Sequence, residues 1–282
     1  MNVFEALICG IIQGLAEFLP ISSSGHLALF HNIFGGANID GDGGYLAFDL
    51  LLHLGTLAAV LIIYRKLIIK LIPAFFTMIG KVFKRRFKLK YYDPDERMCV
   101  MVLIALIPLI FVKLFKLDDL VESLGSYTWV VGLILIFNGL MLFVSDSFAR
   151  GGVDIGNTKP RNALVVGFCQ MVAVLPGLSR SGSTITGGLT QGFERDFAVR
   201  FSFILSIPAI VGGNIFKIKD LFDGTGASIG FVPAAVGLIA SFIFGIIAMN
   251  LLIYISKKSN FRAFSYYCFA VGLFAIVYDI IK

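Results

Sequence analysis

The chain has 282 residues, of which 57% are hydrophobic and only 15% are charged. Soluble domains carry about 25% charged residues, and here the apolar residues form stretches of about 18–25, the length that spans a bilayer. This composition excludes a water-soluble protein, and equally a disordered, collagen-like or disulfide-stapled one.

The basic residues are unevenly distributed along the chain. Nine of them lie in 65–90, a segment that contains no acidic residue. Such a cluster is typical of a cytoplasmic loop beside anionic lipid head groups, so we expect contact with membrane lipid and not with nucleic acid. The four cysteines lie within apolar segments and lack the spacing of a metal site, which indicates buried thiols.

The apolar stretches predict two kinds of membrane segment. Six are expected to be full crossings: 45–64, 97–115, 128–147, 197–216, 230–255 and 262–281. Two more, 3–29 and 162–192, are interrupted midway by Pro, Ser and Gly residues. Because non-helical backbone is not tolerated against lipid, we interpret these two as re-entrant helical hairpins buried among the crossings.

The charges of the connecting loops predict the orientation of the crossings. Three basic loops are expected inside: 65–90, 150–161 and 257–262. Three acidic loops are expected outside: those with Asp40 and Asp42, with Asp118, Asp119 and Glu122, and with Asp220 and Asp223. The crossings alternate correctly between these assignments, which places both termini outside.

An internal repeat relates the two halves of the chain. At an offset of 157 positions, residues of the first broken segment align with identical residues of the second: Gly10 with Gly167, Gln13 with Gln170, Ala16 with Ala173, Ser22 with Ser179, Ser24 with Ser181, and Gly25 with Gly182. Three crossings follow each motif, and the loop charges orient the two sets oppositely. We therefore predict an all-α polytopic membrane protein with one domain, 1–282, made of inverted-topology repeats at about 1–150 and 158–282. Each repeat is a re-entrant helical hairpin plus three transmembrane helices.

Inverted repeats of this kind place their broken helices opposite each other near the middle of the membrane. The N-termini of the half-helices then face one cavity with free amides and a partial positive charge. This arrangement predicts that the cavity binds an anion.

The first broken segment carries polar residues where its apolar pattern stops. Gln13 and Glu17 are four residues apart and share one helix face. Beyond a proline, Ser22, Ser23 and Ser24 begin the next helix, where they either cap helix amides or bind a ligand. A carboxylate at membrane depth is costly, so Glu17 is more readily explained by function than by a position at the membrane surface.

The second broken segment contains the run LPGLSRSGST, with Arg180 between two serines. The planar guanidinium suits phosphate oxygens, and neighbouring hydroxyls and glycine amides complete an anion-binding turn. The alternative interpretation is that Arg180 only pairs with Glu17, because buried charges need partners.

The strings QGLAEFLPISSSGHL and LPGLSRSGST resemble the two signatures of undecaprenyl-diphosphate phosphatases, the bacitracin-resistance family of bacterial membrane enzymes. The first signature has Glu or Gln, then Glu four residues later, then a serine run that ends in Gly-His. The second is PG-x-SRS-G-x-T. Length, hydropathy and an FxxFxxY stretch at Phe261, Phe264 and Tyr267 extend the resemblance over nearly the whole chain.

The resemblance implies hydrolysis of undecaprenyl (C55) diphosphate to undecaprenyl phosphate plus phosphate. That reaction recycles the lipid carrier of cell-wall synthesis and confers bacitracin resistance. The resemblance also implies a divalent cation, magnesium or calcium, and a site that opens toward the outer face of the bacterial cytoplasmic membrane. The sequence leaves the oligomeric state open, a homodimer included.

Matching by position, the resemblance assigns roles to individual residues. The catalytic residues are Glu17, Ser23, His26 and Arg180. The residues expected to bind substrate are Gln13, Ser22, Ser24, Gly177, Ser179, Ser181, Gly182 and Thr184. Glu17, together with Gln13, is the candidate metal ligand, although Gln13 replaces the Glu of many members and so leaves Glu17 the stronger candidate.

The chemistry of the residues leaves the nucleophile open. Arg180, helix amides and a metal can neutralise the diphosphate. Ser23 can attack phosphorus with Glu17 as base, and His26 can act as acid or base. Direct attack by a water activated through Glu17 and the metal is the alternative. Asp49 and His53, four residues apart, are expected to contact these groups and orient them, without touching the substrate themselves.

A polyprenyl-phosphate transporter is the main alternative function, because inverted repeats with broken helices also form transporters. A carrier binds and releases without cleavage, so it needs no aligned nucleophile. The grouping of Ser23, Glu17 and His26 favours an enzyme.

Overall fold

A computed structural model describes residues 1–34, 42–85, 88–115, 121, 123–148, 151–220, 230–258 and 260–282, and these are almost entirely helical. In chain order the helices are α1 Val3–Phe18, α2 Ser23–Phe34, α3 Asp42–Ile63, α4 Arg65–Phe83, α5 Pro94–Leu114, α6 Thr128–Ser145, α7 Pro160–Val172, α8 Arg180–Thr190, α9 Arg195–Asp220, α10 Phe231–Lys258 and α11 Arg262–Ile281. Short 3₁₀ turns lie at Leu89–Tyr91 and Asp146–Phe148.

Among the described residues, four helices are long and apolar enough to cross a membrane, namely α6, α9, α10 and α11. Large apolar side chains such as Phe137 and Leu273 are more than half exposed on these helices, as lipid-facing residues are. The predicted crossings 45–64 and 97–115 are also helical, as α3 and α5. The chain is therefore an all-α, multi-pass membrane protein.

Both segments that were predicted to be broken consist of two helices separated by a turn. The first turn, 19–22, separates α1 from α2, and the second turn, 173–179, separates α7 from α8. In each turn the last serine satisfies an amide of the following helix. Ser22 Oγ accepts from the Gly25 N–H at 3.2 Å, and Ser179 Oγ accepts from the Gly182 N–H at 3.1 Å.

The prediction of a loop at 65–90 was wrong, because most of this segment forms α4. Its apolar residues recur at helical spacing, and Leu71, Ala74 and Met78 pack toward α5 while most of the basic residues remain exposed. The predicted loop residues Asp40, Asp118, Asp119, Glu122, Arg150 and Asp223 lie outside the described residues.

Close packing of α1 and α7 holds the two broken segments in place. Helix α1 packs mainly on α10, and α7 mainly on α5. A Cβ at Gly10 would lie 2.6 Å from the Gly237 carbonyl oxygen, and a Cβ at Gly167 would lie 2.4 Å from the Ala105 carbonyl oxygen. Both glycines therefore allow helix backbones to touch, at positions that the repeat aligns.

Candidate active site

The two turns are in direct contact. A Cβ at Gly25 would lie 2.7 Å from the Gly177 Cα, and a Cβ at Gly182 would lie 3.2 Å from the Pro20 Cβ. Gly177 has φ +99°, a conformation that favours glycine, and Ser22 has φ 74°, which is strained for a residue with a side chain. The first and second turns therefore form one interface of small residues and constrained backbone.

One side chain bonds both turns. Asn138, in the middle of α6, is fully buried. Its Nδ2 donates to the Pro20 carbonyl oxygen at 2.9 Å, and its Oδ1 accepts from the Ser179 N–H at 3.1 Å. Asn138 therefore fixes the position of the first turn relative to the second.

Glu17 lies at the centre of the site, with only 7% of its surface exposed. Its Oε1 accepts from Arg180 Nη2 at 2.6 Å, and its Oε2 accepts from the Ser23 hydroxyl at 2.7 Å. Gln13 Nε2, one helical turn earlier on α1, donates to the same Oε2 at 3.0 Å. The contact of the two turns thus brings the Arg180 guanidinium to a carboxylate and a hydroxyl that lie 163 and 157 residues earlier in the chain.

The Glu17–Arg180 pair explains how the Glu17 carboxylate is kept buried inside the protein. A buried charge is strongly destabilising without a partner, and the guanidinium supplies one. The Arg180 side chain remains 23% exposed, and Arg has further N–H donors beyond Nη2. The pairing is therefore compatible with binding an anion in addition to Glu17.

Asp49 and His53 lie beside this group, and their predicted supporting role stays a prediction. His53 Nε2 is 4.0 Å from Glu17 Oε2, and His53 Nδ1 is 3.7 Å from Asp49 Oδ1 and 2.8 Å from the Asp49 carbonyl oxygen. These residues extend the polar network along α3.

A cavity of about 560 Å³ opens at this network. Its polar end is lined by Glu17, Ser22, Ser23, Ser24, Asp49, His53, Gln170, Ser179 and Arg180. Its remaining wall is apolar and comes from α1, α5, the second turn and α9: Ala16, Leu106, Leu109, Ile110, Val112, Ala173, Val174, Leu178, Pro208, Ala209, Gly212 and Gly213. The cavity is therefore suited to a ligand with an anionic head and an apolar tail.

Other predicted substrate-binding residues lie behind the cavity wall. Gln13 is fully buried, and Thr184 Oγ1 lies 2.6 Å from Ser202 Oγ on α9. Ser181 Oγ lies 3.0 Å from Ser179 Oγ, and Gly177 and Gly182 form the contact between the turns. Their observed contacts shape the turns, and a direct contact with substrate stays a prediction.

His26 is turned toward α11. Its Nδ1 is 2.7 Å from the Ser22 carbonyl oxygen, its Nε2 is 2.9 Å from the Tyr267 hydroxyl, and the two rings stack at 5.5 Å. His26 is not among the described residues that line the cavity. Its role as acid or base stays a prediction, and its observed contacts link the first turn to α11.

Oxygen donors near Glu17 fit a hard divalent cation. The described residues contain no group of three or more His, Cys, Asp or Glu arranged as a metal site. Magnesium, however, is commonly held by one or two carboxylates together with substrate phosphates. In the described part of the chain Gln13 Oε1 is buried without a hydrogen-bond partner, on the same side chain that bonds Glu17. Glu17 and Gln13 stay the predicted cation ligands, and Gln13 is fully buried outside the cavity lining.

Sequence reasoning missed Asn138 as a site residue. The signal was a lone amide within α6, a helix whose crossing window has a mean hydropathy of 2.1. A polar side chain in such a helix either bonds a neighbouring element or serves a function, so Asn138 could have been predicted as a contact or site residue.

The fold and the site define a class of protein: a multi-pass helical membrane protein whose two broken segments present a Glu–Arg pair and serine hydroxyls to one cavity. The chain belongs to the bacitracin resistance protein BacA family, whose model matches residues 6–274.

Curated relatives match over nearly their full length. Undecaprenyl-diphosphatase of Methanobrevibacter smithii is 40% identical over 97% of this chain and 96% of its own. Undecaprenyl-diphosphatase of Methanosphaera stadtmanae is 37% identical over 100% of this chain and 99% of its own. The protein of the same name from Alkaliphilus metalliredigens is 34% identical over the full length of both chains.

Proposed function

We propose that this chain is an undecaprenyl-diphosphatase, an integral membrane hydrolase that converts undecaprenyl diphosphate to undecaprenyl phosphate plus phosphate. The observation that carries the proposal is the 2.7 Å hydrogen bond from the Ser23 hydroxyl to Glu17 Oε2, beside Arg180 in the same cavity. The names of the relatives and this aligned hydroxyl favour hydrolysis over transport, because a carrier needs no activated nucleophile.

In this mechanism the Ser23 hydroxyl attacks the terminal phosphorus. Its proton passes to Glu17 Oε2, which already accepts its hydrogen bond. A Ser23 Oγ–phosphorus bond forms, the bond from that phosphorus to the bridging oxygen breaks, and undecaprenyl phosphate leaves. Water then attacks the phosphoserine, which releases phosphate and restores the hydroxyl. Direct attack by water on the diphosphate is the alternative that the experiment below separates.

Arg180 and the two helix starts stabilise the charge of the diphosphate. Arg180 retains N–H donors beyond the one that bonds Glu17, and a guanidinium binds phosphate oxygens in a planar, paired geometry. Helices α2 and α8 both begin at the cavity, where Ser23 and Arg180 are their first residues. Their N-terminal amides and partial positive charges favour the same anion.

A divalent cation, magnesium or calcium, is part of the proposal. Glu17 and Gln13 are the residues that would hold it, since they offer a carboxylate and an amide oxygen that has no hydrogen-bond partner among the described residues. When bound, such a cation neutralises phosphate charge and so makes the leaving group easier to displace.

The apolar wall of the cavity suits the isoprenoid chain. Leu109 and Ile110 of α5 and Ala209 and Gly212 of α9 line the same cavity as Glu17. Ile110 is 63% exposed, so this wall continues onto the surface that the bilayer covers. A lipid can therefore reach the polar end with its tail still among apolar groups.

The packing supports an inverted-repeat architecture. By their order in the two repeats, α1 corresponds to α7 and α10 corresponds to α5. The α1–α10 packing of the structure therefore has its counterpart in the α7–α5 packing, and both are main contacts. The repeat alignment likewise relates the contact of Gly25 with Gly177 to the contact of Gly182 with Pro20. We place both broken segments as re-entrant hairpins within one domain of the cytoplasmic membrane, with the cavity open to the outer face.

The experiment measures phosphate release from undecaprenyl diphosphate by the purified protein in detergent, with and without magnesium. The wild type is expected to release phosphate, and Ser23→Ala is expected to lower kcat by about 10³-fold or more, since a nucleophile cannot be replaced by a methyl group. Ser256→Ala serves as control, because Ser256 is buried and bonds only a carbonyl of its own helix among the described contacts. A wild type without phosphate release refutes the function. Near-normal turnover by Ser23→Ala refutes Ser23 as the nucleophile and favours direct attack by water.

A further inference from the structure

Gln170, on α7, is a buried amide that the mechanism above does not use. Only 2% of its surface is exposed, and it lines the cavity that also contains Glu17 and Arg180. Within the described part of the chain, neither Nε2 nor Oε1 of Gln170 has a hydrogen-bond partner. A buried amide with both polar atoms unpartnered is uncommon in native structures and calls for an explanation.

The first broken segment shows what an amide at this position does when it has a partner. Gln13 aligns with Gln170 at the repeat offset, and its Nε2 donates to Glu17, four residues later, at 3.0 Å. Four residues after Gln170 the chain has Val174, which offers no acceptor. The repeat thus keeps the amide and removes its internal partner, so that the donor of Gln170 is left for something in the cavity.

The chemistry of the cavity identifies what that ligand is. Arg180 and two helix N-termini favour an anion, and the N–H donors of an uncharged amide add to that preference without requiring a counter-charge. An amide also donates to a phosphate oxygen at any protonation state of the phosphate. A carboxylate at the same position would instead repel it.

We propose that Gln170 is a substrate-binding residue, whose Nε2 donates to a non-bridging oxygen of the diphosphate. This inference rests on the proposed function for the identity of the lipid, but it concerns binding and not cleavage. It predicts that Gln170 lowers the stability of the apo protein and raises its affinity for the ligand, because the amide finds a partner only when the ligand is present.

The experiment uses a methylene-bridged diphosphonate analogue of undecaprenyl diphosphate, in which a CH₂ group replaces the bridging oxygen. Its Kd and the Tm of the apo protein are measured for the wild type, Gln170→Leu and Gln170→Glu. Gln170→Leu is expected to weaken binding about tenfold, the loss of one hydrogen bond to a charged group, and to raise Tm. Gln170→Glu is expected to weaken binding further, since its carboxylate faces the phosphates.

Thr186→Val is the matched control. Thr186 Oγ1 on α8 is also buried without a partner among the described residues, but Thr186 does not line the cavity. The control is expected to raise Tm in the same way and to leave the Kd unchanged.

Three results overturn the inference: a Kd of Gln170→Leu within twofold of the wild type, a fall of its Tm together with its affinity, or a wild type that does not bind the analogue. The first two leave phosphate release by the wild type unaffected, so they refute the role of Gln170 and not the proposed function. A wild type that binds the analogue through Gln170 but releases no phosphate from undecaprenyl diphosphate refutes hydrolysis and supports the binding role.

Discussion

The two broken segments share a serine cap and a glycine contact at their second helices but differ in chemistry. Ser22 and Ser179 each accept an amide N–H of the helix that follows, and the glycines at the matching positions lie against the opposite turn. At the next position, however, the first segment has Ser23 and the second has Arg180. Matching caps and glycine contacts thus support side chains that do not match.

The difference explains why the site needs both halves. The first segment contributes the carboxylate of Glu17 and the Ser23 hydroxyl, while the second contributes the guanidinium of Arg180. Either segment alone would hold an unpaired charge away from water, which is strongly unfavourable. Charge neutralisation therefore stabilises the contact of the two turns at the same place where it assembles the proposed active site.

The largest expected effect comes from removing the carboxylate that joins the two segments. Glu17→Gln is expected to lower kcat by about 10³-fold, because Ser23 loses its base. Adding Val174→Glu to this variant is expected to restore nothing. The carboxylate would then stand in the second segment, where the residue matching Ser23 is Arg180 and has no hydroxyl. Phosphate release from undecaprenyl diphosphate checks both variants.

Glu5→Gln is the control for that experiment, since Glu5 lies on the same helix but caps its start with Asn2. Its turnover is expected to equal that of the wild type. Recovery of activity in the Glu17→Gln, Val174→Glu double variant would show that the two segments are chemically interchangeable, contrary to the comparison above.

A smaller effect is expected from Asn138→Leu, which breaks the link between the turns. The Pro20 carbonyl and the Ser179 N–H both lose a buried partner, at about 1–3 kcal/mol each, so Tm is expected to fall by about 4 °C or more. Displacement of Arg180 relative to Ser23 is expected to lower kcat/KM by about tenfold to a hundredfold.

Asn250→Leu is the matched control for this variant, because Asn250 is exposed and its amide donates to a carbonyl of its own helix. Thermal unfolding and turnover are measured for both. If Asn138→Leu kept the stability and kcat/KM of the wild type, the turns would be held by their other contacts alone.

The smallest effect is expected from the hydrogen bond that the first segment makes with α11, which the second segment lacks among the described residues. His26 bonds Tyr267 on α11, whereas the matching Ser183 donates to the sulfur of Met141 on α6. Tyr267→Phe removes one hydrogen bond, so we expect Tm to fall by about 2 °C and kcat to stay within about threefold. Tyr266→Phe, on the exposed neighbour, is the control, and a large loss of kcat in Tyr267→Phe alone would indicate that His26 takes part in the reaction.

Residue patterns near the breaks were sufficient to predict the local structure. A proline followed by a serine run ends α1 and starts α2, and the crossings at 128–147 and 262–281 coincide with α6 and α11. The prediction was wrong at 65–90, where charge was read as a loop although apolar residues at helical spacing form α4. Charge reports which surface a segment occupies, and it does not decide whether the backbone is helical.

Composition and local pattern determined the class of this protein, its helices apart from α4, and the two places where helices break, because backbone hydrogen bonds in lipid leave few alternatives. Only the tertiary structure decided that Arg180 meets Glu17, that Asn138 bonds both turns and that Gln170 has no internal partner. Glu17 and Arg180 are 163 residues apart, and Asn138 is 118 residues from Pro20 and 41 from Ser179. For Gln170, no partner is found among the described residues. Such contacts depend on how closely small residues such as Gly10 and Gly167 let helices approach, which no single segment encodes.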